Sequence, residues 1–471
     1  MLFPTVEYAL FFLVVLAVAW ALARFPAWHK GFLLVASYLF YGFWNWTYLP
    51  LLFGISVVAG LVAQRIQQSE TRRKQWLVLG VVICLATLGF YKYTGFVLEN
   101  VLAVWGRFGR APVVGYHAPV LPLGISFFVF HAISLMGDCY RRKVKEPVAM
   151  GDALLYVAFF PQLIAGPILR ASRFLPQLRM ERTGRNLRLN RALLLIAGGL
   201  FKKVIVSNML ATRLVEPVFQ VPQSYGVGDV LLAVYGYAAQ IYCDFSGYTD
   251  IAIGCALLLG YRFPANFRAP YTAVNPQDFW RRWHISLSTW LRDYLYFPLG
   301  GSRRGSVRTY VNLMLTMLLG GLWHGAAWTF VAWGALHGSY LVVHRLWTLV
   351  GWEPVVRMRG TMAWAWISRV LLFHAVCVGW VFFRASTFEL AFEIFRRLGV
   401  PGAVTLATGP VVLVLMIGLA GQFAPTRWRN SLEVELGRWP SLVRGAAFAG
   451  AIVAIEVLGP TGVAPFIYFQ F

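Results

Sequence analysis

Residues Trp76 to Phe90 read WLVLGVVICLATLGF, an apolar run without a single charged side chain. Comparable runs cover Tyr8 to Ala23, Gly31 to Trp44, Ala192 to Leu200 and Ala446 to Leu458. Apolar residues fill 59% of the 471 positions and charged residues only 13%. Soluble domains average about 45–50% and 25%, so one soluble core cannot absorb this excess. An upright bilayer crossing needs roughly 20 apolar residues, and several of these runs are shorter or carry polar interruptions. The chain therefore reads as an all-α, polytopic integral membrane protein. About ten to twelve membrane segments are expected by hydropathy, some of them tilted, broken or re-entrant.

The charge pattern supports that reading. Lys and Arg number 42 against 19 Asp and Glu, a formal charge of +23. In a soluble protein this would point to nucleic acid. Here the basic residues gather in short loops between apolar runs: Arg65 with Arg72 to Lys74, Arg141 to Lys145, Arg170 to Arg191, and Arg303, Arg304 and Arg308. Short basic loops mark the cytoplasmic side and favour anionic lipid. No stacking motif of a nucleic-acid binder accompanies them. The first residues lack a basic leader and a small-residue cleavage site, so the N-terminal run reads as a retained first span. The five cysteines lie in or beside apolar segments with no CxxC pair, which implies buried thiols and no zinc.

One domain over 1–471 is the economical division, with N-terminal spans in 1–110, a polar-rich core in 120–350 and C-terminal spans in 360–471. Within the core, Val157 to Arg170 reads VAFFPQLIAGPILR. Pro161 and Pro167 break any helix there, and basic residues flank it on both sides, so the segment is expected to dip in and return. Broken backbone at membrane depth is tolerated only where it is buried in protein or lines a wet cavity, and a cavity in the middle third is expected.

Three constellations carry chemistry. Phe279 to Gly301 reads as one amphipathic helix, with Phe279, Trp283, Leu287, Trp290 and Tyr294 on one face and Arg281, His284, Ser288 and Arg292 on the other. It suits a helix lying on the cytoplasmic leaflet, or one turning its basic face to an anionic ligand. In Thr316 to Tyr340, His324 stands in an apolar run beside Trp323 and Gly325, with Gly320 and Gly321 a turn earlier. An ionisable side chain at that depth is functional by default, with a packing histidine as the plain alternative. If that helix is continuous, His337 and His344 fall together on the face away from His324 and read as structural. In Tyr242 to Asp250, Asp244 and Asp250 need partners, for which nearby arginines or histidines are candidates; a structural ion pair explains them equally well.

These residues also carry a resemblance. DFSGY (Asp244 to Tyr248), Asn266–Phe267 with Pro270–Tyr271, DFWRRWHISLSTWLRDYLYFPLGG (Asp278 to Gly301) and GGLWHGAAW (Gly320 to Trp328) closely resemble the membrane-bound O-acyltransferase family, most narrowly its bacterial alginate O-acetyltransferase branch. LPLGISFFVFHA (Leu121 to Ala132), FPQLIAGPI (Phe160 to Ile168) and the terminal FIYFQF (Phe466 to Phe471) fit as well. One position departs: Leu135 stands where such proteins commonly carry Tyr.

The resemblance implies a helical funnel with a thin middle, His324 as the essential histidine and His284 as its companion. Arg281, Arg282, Trp283, Trp323, Asp244 and Ser246 are the implied substrate- and donor-binding residues, and Arg303 and Arg304 would add positive charge at the inner mouth. The implied reaction moves an acyl group from a cytoplasmic thioester, acetyl-CoA, to a hydroxyl of an extracytoplasmic polysaccharide or of a periplasmic partner enzyme, in a bacterial inner membrane. No bound cofactor or metal is implied. D-alanyl transfer to teichoic acid is the alternative within the family. A transporter with broken, charged helices and a membrane scaffold are the readings outside it, and no inverted repeat supports the transporter.

Overall fold

The computed structural model describes residues 3–107, 118–164, 166–184, 187–460 and 467. Ala165 of the broken segment, residues 185 and 186 of the basic loop and all of the terminal FIYFQF motif except Ile467 lie outside the described residues. The described residues form helices, with no strand among them. Five helical stretches among the described residues are long and apolar enough to cross a bilayer: Pro26–Gln68, Arg73–Gly106, Leu189–Gln220, Met362–Arg384 and Ser441–Leu458. A sixth forms if Gly409–Phe423 and Thr426–Arg438, bent 96° apart, are one broken span. Others fall short in length: Val6–Ala21 and Ile125–Tyr140 are apolar but span only 16 residues each. Large apolar side chains stand exposed, Leu442 at 84% and Val457 at 76%. In water such a surface would be a liability; facing lipid it costs nothing.

The chain gathers into two compact units: Met1–Leu187 with Cys255–Phe263, and Arg188–Gly254 with Pro264–Phe471. This boundary differs from the three-part division read from polarity along the sequence.

In the first unit the helix Ile125–Tyr140 is buried along nearly its whole length. Against it the expected broken segment is indeed broken: Met150–Ala158, a break at Phe159, four helical residues Phe160–Leu163, non-helical backbone at 166–170, then Ala171–Leu178. Side chains satisfy the backbone groups that the breaks release. Tyr156 Oη donates to the Leu169 carbonyl (2.7 Å), and the Leu169 N–H donates to His131 Nε2 (3.3 Å). Ser37 Oγ accepts from the Phe160 N–H (3.2 Å), and Asp138 accepts from both the N–H and the hydroxyl of Ser172. Arg73 donates to the carbonyls of Cys139 and Tyr140, capping the C-terminus of the buried helix.

In the second unit the helix Leu189–Leu200 continues into a wider π-helical turn, Phe201–Ser207, and packs on Val227–Leu258. Gly199 and Gly247 let the two backbones meet: a Cβ on either would lie 2.7 Å from the other's carbonyl oxygen. The long helices Ser306–His324 and Trp328–Leu349 form an antiparallel hairpin, so the continuous helix assumed through His324 is not present. The chain reverses over Gly325 to Ala327. Its two arms touch along glycines: a Cβ on Gly334 would sit 2.5 Å from the Met317 carbonyl oxygen, and one on Gly321 would strike the carbonyl of Phe330. Side chains at those positions would force the arms apart.

Candidate active site

The site lies in the second unit and is built on two interruptions of helix. The first falls at His284. Asn275 caps a short helix, Pro276–Arg282, by accepting from the Asp278 N–H (2.8 Å), with Pro276 at its first position. Trp283 is extended, and His284 adopts φ +40°, the left-handed region, before helix resumes over Ile285–Leu291 and widens into a π-turn at Arg292–Tyr296. The single amphipathic helix expected over Phe279–Gly301 is therefore corrected to two short helices at an elbow.

Asn266 holds the elbow. Its carbonyl accepts from the Ile285 N–H (2.9 Å), and its side-chain Oδ1 accepts from the N–H (3.0 Å) and hydroxyl (2.9 Å) of Ser286. The same Oδ1 lies 3.3 Å from His284 Nδ1. An atom that accepts from a backbone N–H is the amide oxygen, so His284 Nδ1 is the donor and carries the proton. Nε2 keeps its lone pair, and among the described residues it has no hydrogen-bond partner. The ring is fully buried, edge-on to Phe245 at 4.5 Å. A left-handed non-glycine residue costs roughly 1–3 kcal/mol and persists only where its surroundings over-determine it; Asn266 supplies that determination.

The second interruption follows His324. This residue ends its helix, and Gly325 leaves it in extended conformation. The His324 ring is 4% exposed and walled edge-to-face by Trp323 (5.0 Å), Trp333 (5.0 Å) and Phe383 (5.2 Å). Trp323 also meets His284, at 6.1 Å. Two histidines from separate segments thus both meet one indole.

The remaining expected residues divide. Arg281 lines a cavity of about 660 Å³ with Trp280, Ser288, Arg292, His344 and Arg345. Arg282 does not; it is held by Asp278 (2.9 Å), by Thr272 and by the Arg268 carbonyl. Arg303 and Arg304 are exposed and outside that lining. Trp283 is buried among rings, stacked on Phe279 (5.7 Å), tilted against Trp380 (4.9 Å) and edge-on to Phe267 (5.1 Å). The partners of Asp244 and Asp250 are lysines, not the arginines or histidines considered from the sequence. Lys203 pairs with Asp244 in the interior, while Lys202 bonds Asp250 (2.5 Å) and the Ser246 hydroxyl (3.1 Å). Asp244 also accepts from Ser207 and from the Ile467 N–H. These pairs lock the π-turn to its neighbouring helix and leave Asp244 and Ser246 already engaged.

Sequence reasoning placed Arg292 beside Arg281 on a basic face, but missed Asn266 as the tie of the elbow, Arg345 as a further basic residue of the cavity, and Trp333 and Phe383 as walls of His324. It also set His337 and His344 away from the site. The hairpin turns them back: His337 packs on Trp333 at 4.8 Å, and His344 lines the basic cavity. The periodic pattern held no signal for either break, because elbow and hairpin are made by contacts from elsewhere in the chain.

Residues 118–384 match the family described as MBOAT, membrane-bound O-acyltransferase. A probable alginate O-acetylase of Pseudomonas putida is 37% identical over 93% of this chain and 94% of its own length. A peptidoglycan O-acetyltransferase of Helicobacter pylori is 38% identical over 80% of this chain and 75% of its own. A teichoic acid D-alanyltransferase of Bacillus subtilis is 28% identical over 57% of this chain and 69% of its own.

Proposed function

The chain belongs to the membrane-bound O-acyltransferase family, and from that premise we propose that it moves an acetyl group from acetyl-CoA to a hydroxyl of an exported polysaccharide, of the alginate type or peptidoglycan. The observation that carries the reading is the pair of buried histidines that both meet Trp323 in the unit that also bears the basic cavity. The multi-pass chain would lie in the bacterial inner membrane, with a periplasmic acetyltransferase completing delivery to the polymer.

The cavity at Arg281, Arg292 and Arg345 suits the phosphates of the donor, through charge-assisted hydrogen bonds. In the transfer step the acceptor hydroxyl oxygen bonds to the thioester carbonyl carbon, and the carbon–sulfur bond breaks. His324 takes the hydroxyl proton and returns it to the departing thiolate, leaving an acetyl ester and free CoA thiol. General-base assistance of this kind is worth roughly 10²–10⁴ in rate. The ring sits at a helix C-terminus, whose carbonyl dipoles stabilise the positive charge it then carries. His284, with its lone pair on Nε2, accepts a hydrogen bond from an N–H of the donor's amide arm and orients the thioester.

The D-alanyl alternative has less support, since that relative matches 57% of this chain against 93% for the alginate O-acetylase. The test is label transfer from acetyl-CoA in membranes that contain the cell's own exported polymer. Transfer of acetyl with no transfer of D-alanine from a charged carrier protein is the expected result. Membranes that deliver D-alanine instead would refute the reading.

A further inference from the structure

The first unit, which the transfer chemistry above does not use, has a cavity of its own. It measures about 420 Å³, and its lining includes Gln67, Ser69, Glu70, Arg73, Arg142 and Lys145. Its walls are pinned from two sides. Gln67 donates from Nε2 to the carbonyls of Glu146 (2.9 Å) and Val144 (3.3 Å), and its Oε1 accepts from the Val148 N–H (3.0 Å). Arg73 donates to the carbonyls of Cys139 (2.9 Å) and Tyr140 (3.0 Å). Three basic residues thus share the lining with one acid. Glu70, Arg142 and Lys145 are exposed, and none of them has an ion pair among the described residues. The nearby Glu146 is taken by Arg179.

Arg142 stands in a conformation that arginine does not favour. Its φ is +56°, just past the end of the helix Ile125–Tyr140. Its N–H donates to the Cys139 carbonyl (3.0 Å), and the Lys143 N–H donates to that of Asp138 (2.9 Å). Helix endings of this kind usually put glycine at the left-handed position, because a Cβ there is strained. The exposed side chain of Arg142 makes no hydrogen bond or ion pair among the described residues that would repay the strain. The cavity also lies where apolar helix gives way to polar loop. The helix Leu49–Gln68 ends beside it, and the helix Arg73–Gly106 begins at it, each within a stretch apolar enough to cross a bilayer. That is the depth of lipid head groups.

We propose that this cavity binds a phosphate group, held by Arg142 and Lys145 from the loop and by Arg73 from the start of its helix. Guanidinium groups match phosphate oxygens through paired, charge-assisted hydrogen bonds. The ties through Gln67 and Arg73 hold the loop and the helix ends in place before the anion arrives. The depth of the cavity favours the head group of an anionic phospholipid as the source of that phosphate.

The test uses the full chain purified in detergent. It is titrated with dihexanoyl phosphatidylglycerol, dihexanoyl phosphatidylcholine and inorganic phosphate, and the thermal midpoint is read for the wild type, Arg142→Gly, Arg142→Lys and Lys145→Ala. Phosphatidylglycerol is expected to raise the wild-type midpoint saturably, by about 2–4 °C. Phosphatidylcholine, neutral overall, leaves it unchanged. Inorganic phosphate that reproduces the rise makes the occupant a free phosphate; no response to it makes the occupant the lipid head group. Arg142→Gly relieves the strained backbone, so its midpoint without lipid should match or exceed the wild type. It should nevertheless need about 10-fold more lipid for half the rise, the worth of one charge-assisted hydrogen bond. Lys145→Ala weakens binding likewise, and Arg142→Lys, which keeps the charge, retains most of it. No saturable rise in the wild type, an equal rise with phosphatidylcholine, or wild-type half-saturation in both Arg142→Gly and Lys145→Ala overturns the proposal. So does a lipid-free midpoint of Arg142→Gly well below the wild type, because the side chain would then be holding the fold.

Discussion

His284 and His324 reach the same indole by opposite means. At His284 the chain itself is bent: the histidine occupies the left-handed region, and the amide of Asn266 holds it there. At His324 the histidine keeps regular helical backbone, and the reversal falls on Gly325 and the residues after it. One ring is aimed by hydrogen bonds to a strained elbow, the other by glycine-to-backbone packing and three aromatic walls. The contrast teaches that the first site is sensitive to loss of polar partners and the second to added volume.

The largest expected effect tests the second half. His324→Ala deletes a side chain whose neighbours are aromatic rings, and the hairpin contacts through Gly321 and Gly334 stay intact. Acetyl transfer should fall at least about 10²-fold in a protein that still elutes as a single species in detergent. Near-normal transfer would remove His324 from the chemistry.

Next come two substitutions that should harm the two regions in different ways. Asn266→Ala strands the N–H and hydroxyl of Ser286 and frees His284, at a cost of about 1–3 kcal/mol. Gly321→Ala drives a methyl into the Phe330 carbonyl, at about 1–3 kcal/mol of overpacking. Both should lower the thermal midpoint. Asn266→Leu, which refills the volume without the acceptor, should remain as damaging as Asn266→Ala. Rescue by leucine would mean that the elbow is held by packing and that the contrast is false.

The cavity arginines give a smaller, cleaner separation. Arg281→Ala with Arg345→Ala should raise the KM for acetyl-CoA several-fold with kcat nearly unchanged, because contacts equally strong in ground and transition states act on binding. Arg282→Ala should leave KM alone and lower stability instead, since Asp278, Thr272 and the Arg268 carbonyl lose their partner. An unchanged KM in the double variant would place the donor elsewhere.

Much of this was legible in the sequence, and the illegible part has a common cause. The apolar runs identify helices, Pro161 and Pro167 mark the broken segment, and the motifs around Asp244, His284 and His324 point to the site. The elbow and the hairpin reversal were not legible, because helical periodicity runs straight through Trp283–His284 and Gly325–Ala327. What breaks those helices is remote: Asn266, 18 positions before His284, and the glycine seam between two arms. The lysine partners of Asp244 and Asp250 were hidden for the same reason, 41 and 48 positions away. Lys202 and Lys203 are neighbours in sequence within the π-turn, yet each meets its own aspartate.

The smallest effect isolates the strain at the elbow. His284→Gly and His284→Ala both remove the imidazole and its hydrogen bond to Asn266, so both should lose activity alike. They differ in what the backbone at φ +40° requires. Alanine in the left-handed region costs about 1–2 kcal/mol, which glycine escapes. Glycine gives back roughly 0.5–1 kcal/mol through the greater freedom of its unfolded chain. The glycine variant should therefore be the more stable of the two by up to about 1.5 kcal/mol, seen as a higher thermal midpoint in detergent. At an exposed helical position such as Ala446 the order reverses, with glycine about 1 kcal/mol less stable than alanine. The change of sign between the two positions is the measurement. If glycine is the weaker residue at both, His284 relaxes out of the left-handed region in the membrane, and its aim depends on Asn266 and the surrounding rings without any contribution from backbone strain.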